Sequence, residues 1–185
     1  MEYCPWSLES LRLVRAPEGA TRNRLAAPTV VNAVYQVLHG LDYLKHFGRE
    51  EARARDAMGN SDQQLNSTLT IAHCDIKSDN LMINFEGLVK ICDFGLGVLL
   101  EDNKHITDNM ERGSEAYMAP EVAETKEYWE ACDVYSLGVS AYEMLTGRLP
   151  KGRTKFGFWK KTKEMILKVT DDNSILTNQL LVLLK

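Results

Sequence analysis

The sequence predicts an α+β chain, mainly helical with one small β-hairpin, and three stretches carry that prediction. Val30, Ala33, Val34, Val37, Leu38, Leu41 and Leu44 recur at helical spacing, the pattern of an amphipathic helix. Leu81-Met82-Ile83 and Leu88-Val89-Lys90-Ile91 are short apolar runs on either side of Asn84-Phe85-Glu86-Gly87, which predicts a hairpin. Residues 133–145, with Val134, Leu137, Val139, Ala141, Met144 and Leu145, are apolar on nearly every side, so that helix must be buried. Gly147 and Pro150 stop it.

The remaining elements follow in chain order. Met1 to Cys4 is a short apolar run, interrupted by Pro5 and Ser7 before Leu8, Leu11 and Leu13, and reads as a connector entering a short helix. Pro17, Gly19 and Pro28 stand among charges and make a loop. Residues 48–70 turn polar, with Glu50, Glu51, Arg53, Arg55 and Gly59-Asn60-Ser61, and the apolar period vanishes, so they read as a flexible insertion. Beyond Pro150, Lys151 to Lys168 is basic and irregular, and Ile175 to Leu184 reads as an apolar helix.

At 185 residues and 44% hydrophobic content the chain fits a single domain, 1–185, with a core of its own. A net charge of −4 without a long basic run points away from nucleic acid and from an anionic membrane surface. Cys4, Cys74, Cys92 and Cys132 lie far apart without a C-x-x-C pair, which argues against a zinc site and a disulfide framework and for reduced thiols. No apolar run is long enough to span a bilayer and no signal pattern follows Met1, so the expected location is cytoplasmic or nuclear.

The chemistry lies in His73-Cys74-Asp75-Ile76-Lys77-Ser78-Asp79-Asn80, then Asp93-Phe94-Gly95, then Gly113-Ser114, Tyr117-Met118 and Ala119-Pro120-Glu121. Taken singly, an Asp or Asn beside a turn reads more readily as a cap than as a ligand. Together, and in this order, the strings resemble the catalytic loop, magnesium loop and activation-segment end of eukaryotic protein kinases over roughly residues 1 to 150. The resemblance implies a protein-kinase-like fold present as a hinge and C-terminal lobe, the N-terminal lobe missing.

It also implies roles. Phosphoryl transfer needs positioning and charge neutralisation rather than covalent help. Asp75 is then the base that orients the acceptor hydroxyl, and Lys77 places a cation beside the γ-phosphate of ATP. Asn80 and Asp93 offer the hard oxygens that Mg²⁺ prefers. Gly95 permits the turn that aims Asp93, and Phe94 packs as an apolar latch under the cleft. Met1, Glu2 and Cys4 resemble the hinge, where Glu2 and Cys4 meet adenine through the backbone and Met82 packs beneath the ring. His73 and Asp133 brace the catalytic loop, and Glu121 pairs with an arginine, so these three are structural. Cys92 faces two readings, a reactive thiol at the nucleotide or a small hydrophobe, of which the second is preferred.

Lys77 and the Gly113-Ser114 approach resemble serine/threonine kinases, with Ser114 bonding to Asp75 and Lys77 and a protein Ser/Thr hydroxyl as substrate. The strings around Asp75 and Asp93, with Ile106-Thr107-Asp108, resemble the MAP kinase kinase-like group and the lymphokine-activated killer T-cell-originated (PDZ-binding) kinase subfamily. Three features depart from the pattern: Cys74 where arginine is usual, the insertion at 48–70, and no glycine-rich loop, strand lysine or helix glutamate ahead of Met1. The alternatives are a non-catalytic interaction module and a truncated gene-model fragment.

A cysteine at 74 cannot pair with a phosphorylated activation loop as a guanidinium does. Thr107→Glu is therefore expected to leave phosphotransfer unchanged in a completed kinase, and a large activation in a steady-state assay would refute this.

Overall fold

The computed structural model describes residues 3–14, 23–47, 69–101, 105–107 and 112–150. The expectations for Met1 and Glu2, for most of the polar insertion and for everything beyond residue 150 lie outside the described residues.

The chain opens with a two-residue strand, β1 (Trp6–Ser7), running directly into helix α1 (Leu8–Val14). Ser7 and Ser10 cap this start reciprocally: Ser10 N donates to Ser7 Oγ at 3.0 Å and Ser7 N donates to Ser10 Oγ at 2.9 Å. Helix α2 (Ala27–Lys45) is the predicted amphipathic helix. Its Val30, Ala33, Val34, Val37 and Leu44 are buried, as the spacing required. Pro28 in its first turn gives up no hydrogen bond, because amides there have no helical acceptor.

Strands β3 (Leu81–Ile83) and β4 (Val89–Ile91) form the predicted hairpin, with Met82 opposite Lys90. Asn84 shapes its turn by accepting from Glu86 N at 3.0 Å and Leu88 N at 2.9 Å through Oδ1. Gly87, at φ +82°, supplies the left-handed residue that turn needs. Gln36 of α2 docks the hairpin by accepting from Val89 N and donating to the Gly87 carbonyl, at 2.9 and 3.1 Å. β1 pairs with the other edge of β3, Ser7 opposite Met82, which makes a three-stranded sheet.

Two further strand pairs lack a counterpart in the sequence reading. β2 (Leu69–Ala72) pairs antiparallel with β5 (Val98–Glu101), so Leu69 and Thr70, read above as the end of the insertion, belong to a strand. β6 (Ile106–Thr107) pairs with β7 (Glu127–Tyr128), which follows a short helix α3 (Pro120–Thr125). Strands this short have little periodicity to read, and their partners lie about 20 to 30 residues away.

Helix α4 (Ala131–Thr146) is buried along almost its whole length because it serves two cores. Leu137, Ala141, Met144 and Leu145 pack with α2, with Leu8 of α1, and with Ile76 and Leu81 of the 76–81 segment. Tyr135 and Val139 pack with Ala72, Val98 and Leu100 of the β2–β5 pair and with Val122 and Tyr128. Gly147 ends α4 at φ +69°, and a Cβ there would stand 2.6 Å from the Asn23 carbonyl, so glycine is required. No helix among the described residues is long and apolar enough to cross a membrane.

Leu81 is fully buried at the junction of the hairpin and the α2–α4 core. Leu81→Ala is expected to cost about 2–5 kcal/mol in a denaturant titration, the range for opening a cavity in a packed core. A loss below about 1 kcal/mol would show that the junction collapses around the gap.

Candidate active site

The motif residues converge at the junction of β2, the hairpin and α4. After β2 the chain enters a tight loop in which Cys74 adopts φ +65°, a left-handed conformation unusual for a residue with a Cβ. Asp133, in the first turn of α4, holds that loop through its carboxylate. Oδ2 accepts from His73 N at 2.6 Å and Oδ1 accepts from Cys74 N at 2.8 Å. Burial pushes the Asp133 carboxyl up to about 7, with the two amide bonds pulling the other way.

His73 is fully buried and uses both ring nitrogens. Nδ1 accepts from Asp75 N at 3.2 Å, so Nε2 carries the hydrogen that it donates to the Cys92 carbonyl at 2.9 Å. That pairing fits a neutral ring, and burial lowers the imidazole pKa below its usual 6.5. One side chain thus ties the loop before Asp75 to the strand leading into Asp93. The expectation that His73 braces rather than reacts agrees with this geometry.

Asp75 gathers the donors. Its Oδ2 accepts from Lys77 Nζ at 2.8 Å and from Asn80 Nδ2 at 3.0 Å, and its Oδ1 accepts from Ser114 N at 2.9 Å. Lys77 Nζ also donates to Ser114 Oγ at 2.9 Å, so Ser114 meets both residues as expected, with its amide serving Asp75. Burial pushes the Asp75 carboxyl up, but the hydrogen bonds from Lys77 and Ser114 outweigh it and hold the pKa below 3.8. Asn80 lies in a 3₁₀ turn (Ser78–Asn80) with its amide nitrogen bonded to Asp75, which leaves the amide oxygen as the atom to meet a cation.

Gly113 explains how Ser114 comes so close. It has φ +90°, and a Cβ on it would lie 2.2 Å from the Cys74 carbonyl oxygen. Only glycine allows the two loops to touch there.

Asp93, Phe94 and Gly95, expected to form a magnesium loop, are exposed, and two expectations about them need correction. The left-handed residue is Asp93 itself, at φ +65°, whereas Gly95 has no positive φ. Gly95 matters for a different reason: a Cβ there would crowd Asp93 Oδ1 at 3.3 Å. Phe94, expected as a packed latch, is 44% exposed and meets the edge of His73 with ring centres 4.7 Å apart. Cys92 is half-buried, with Sγ 3.3 Å from the Asn80 carbonyl, and burial raises its thiol pKa, which suits the small-hydrophobe reading. Of the adenine-site candidates, Cys4 lies just ahead of β1 and Met82 on its partner β3, both half-buried, while Glu2 is outside the described residues. Among the described residues no cluster of three His, Cys, Asp or Glu could hold a metal unaided.

Residues 75–80 thus bring a carboxylate, an ammonium and an amide together, with an exposed aspartate at 93. Residues 1–180 match the protein kinase domain, and the chain belongs to that family. It is 43% identical over 98 residues to the dual specificity protein kinase shkC of Dictyostelium discoideum, covering 52% of this chain and 19% of that protein. It is 31% identical over 130 residues to the serine/threonine-protein kinase ste20 of Emericella nidulans, covering 70% of this chain and 13% of that one. With mitogen-activated protein kinase kinase kinase 7 of Bos taurus the identity is 36% over 122 residues, or 64% and 20% of the two chains. The chain spans about a fifth or less of each of these relatives.

A carboxyl with a lowered folded-state pKa contributes stability above its unfolded pKa, near 3.8 here, and loses it as pH falls through the lower folded value. Lys77→Met removes the strongest opposing interaction, so the Asp75 titration followed by carboxyl NMR is expected to move upward and this acid-side contribution to shrink. An unmoved titration would show that Ser114 suffices.

Proposed function

We propose that this chain is the helical, substrate-side part of a protein serine/threonine kinase that transfers the γ-phosphate of ATP to a protein hydroxyl with Mg²⁺. The observation that carries the reading is the shared contact of Asp75, Lys77, Asn80 and Ser114, a carboxylate with three donors around it. Held ionised at neutral pH, Asp75 orients the acceptor hydroxyl and takes its proton as the oxygen attacks phosphorus. Lys77 bridges Asp75 and Ser114 and sets a positive charge beside the transferring phosphoryl. This lysine and serine support the serine/threonine assignment.

The donor set fits magnesium. The Asn80 amide oxygen and the exposed Asp93 carboxylate are hard oxygens, and two protein ligands suit an ion that completes its shell with phosphate oxygens and water. When bound, the ion neutralises charge on the phosphates. Cys4 and Met82, on neighbouring strands, support an adenine position beside the β1–β3 edge. Kinases also clamp the phosphates with a glycine-rich loop and a strand lysine, so we place the working form with such a lobe ahead of Met1.

The test measures phosphate transfer from ATP to a generic serine/threonine substrate with Mg²⁺, using this chain, a form extended upstream by such a lobe, and Asp75→Asn in each. Activity is expected in the extended form, with Asp75→Asn lowering it by about 10²-fold or more. Activity in neither form would favour a non-catalytic interaction module.

A further inference from the structure

Two cysteines that the proposed transfer does not use meet beside the candidate site. Cys74 directly precedes Asp75, and Cys132 directly precedes Asp133 in the first turn of α4. Both belong to the buried cluster that the β2–β5 pair forms with Val122 and Tyr128. One carboxylate oxygen gathers them: Asp133 Oδ1 accepts from Cys74 N at 2.8 Å and stands 3.9 Å from Cys132 Sγ. The Cys74 thiol lies 3.6 Å from the Ala72 carbonyl and hydrogen-bonds with the Cys132 thiol. Both thiols are free.

Two buried thiols can serve a core simply as small hydrophobes, but here each also has a chemical task within reach. Cys74 keeps 9% of its surface open to solvent and Cys132 4%, so a small oxidant meets Cys74 first. The Cys74 thiol and burial hold Cys132 protonated, which makes it the partner that reacts second. Asp133, whose carboxyl is pushed up to about 7, stands beside Cys132 Sγ as an acceptor for that proton. Cys74 itself is held at φ +65°, a conformation that a residue with a Cβ keeps only under constraint, so its loop has strain to release when the sulfur moves.

We propose that Cys74 and Cys132 are a peroxide-sensitive pair, which closes to a disulfide between the 73–80 turn and α4 and so loosens Ser114 from Asp75. The Cys74 sulfur, as thiolate, attacks one peroxide oxygen and breaks the O–O bond, which leaves a sulfenic acid on Cys74 and releases water. The Cys132 sulfur then attacks the sulfenic sulfur, and its proton leaves through Asp133 with the departing hydroxyl as a second water. Two thiols and one hydrogen peroxide thus give one disulfide and two waters, with two electrons passing from sulfur to oxygen. A disulfide brings its sulfurs to about 2.05 Å, closer than any thiol contact, so Cys74 is drawn toward α4. Its carbonyl moves with it. That carbonyl oxygen is the atom against which Gly113 closes, only 2.2 Å from where a Cβ would stand. The next residue, Ser114, donates its amide to Asp75 Oδ1 at 2.9 Å, and the displacement reaches that bond.

The whole chain is treated with hydrogen peroxide in buffer and, separately, unfolded in urea. Free thiols are then blocked with iodoacetamide and the peptides mapped by mass spectrometry without reduction. The folded chain is expected to lose two hydrogens and yield a linked Cys74–Cys132 peptide, which dithiothreitol separates. Links confined to Cys4 or Cys92, an unchanged mass, or a Cys74–Cys132 link that forms only in urea overturns the proposal. In Cys132→Ser, Cys74 is expected to stop at the sulfenic acid and gain a dimedone adduct that the wild-type chain lacks, and equal labelling of the two would remove Cys132 from the reaction. Where that variant fails to fold, the wild-type map decides. Hydrogen exchange on the oxidised chain is expected to be about fivefold faster at the Ser114 amide than on the reduced one, as loss of one hydrogen bond allows, with α2 unchanged. Unchanged exchange at Ser114 overturns the coupling to Asp75, and faster exchange throughout, α2 included, reports unfolding by oxidation and overturns it as well.

Discussion

The fold of the site depends on one carboxylate. A loop that leaves a strand and turns through a left-handed cysteine cannot satisfy its own amides, because neither ladder nor helix geometry is available to it. Asp133 supplies acceptors for two of them from the first turn of a buried helix. Burying that carboxylate is costly in itself, as its raised pKa records, and the two amide bonds compensate the burial. Everything downstream inherits the position: His73 reaches back to Cys92, Asp75 is presented to Lys77, and the Cys74 carbonyl becomes the surface against which Gly113 closes.

Helix α4 can serve as that anchor because it belongs to both cores. One side packs against α2 and the underside of the hairpin, the other against the β2–β5 pair and α3. A shift of the helix would have to disturb both packed clusters at once, and close-packed interiors resist such shifts. The 73–80 turn therefore rests on a helix that both cores hold in place. Asp93 and Phe94 stay exposed beside it, where the proposed nucleotide and metal ion would approach.

Charge is distributed in two layers. In front, Asp75 and Lys77 form a pair completed by Ser114 and Asn80. Beside it, half-buried Glu9 and buried Arg12 and Glu143 form a group joined to the front through Ser78 and Tyr117. Among the described residues every buried side-chain nitrogen and oxygen has a hydrogen-bond partner, so the polar interior is satisfied rather than strained.

The sequence by itself determined the long elements and the chemical identity of the site. Helices α2 and α4 and the hairpin were legible because apolar periodicity is a local property of the chain. The kinase strings were legible because each gathers its reactive groups within a few residues. The tertiary structure decided what depends on distant partners: the β2–β5 and β6–β7 pairs, the left-handed turn at Asp93 rather than Gly95, the exposure of Phe94, and the reason for glycine at 113. It also decided the Arg12–Glu143 cluster, whose members are spread from residue 9 to residue 143, with only the Glu9–Arg12 spacing readable in advance. Periodicity and motif spacing record what a segment can do alone, whereas a hydrogen bond across some 60 residues, such as Cys74 to Asp133, exists only once the chain has closed on itself.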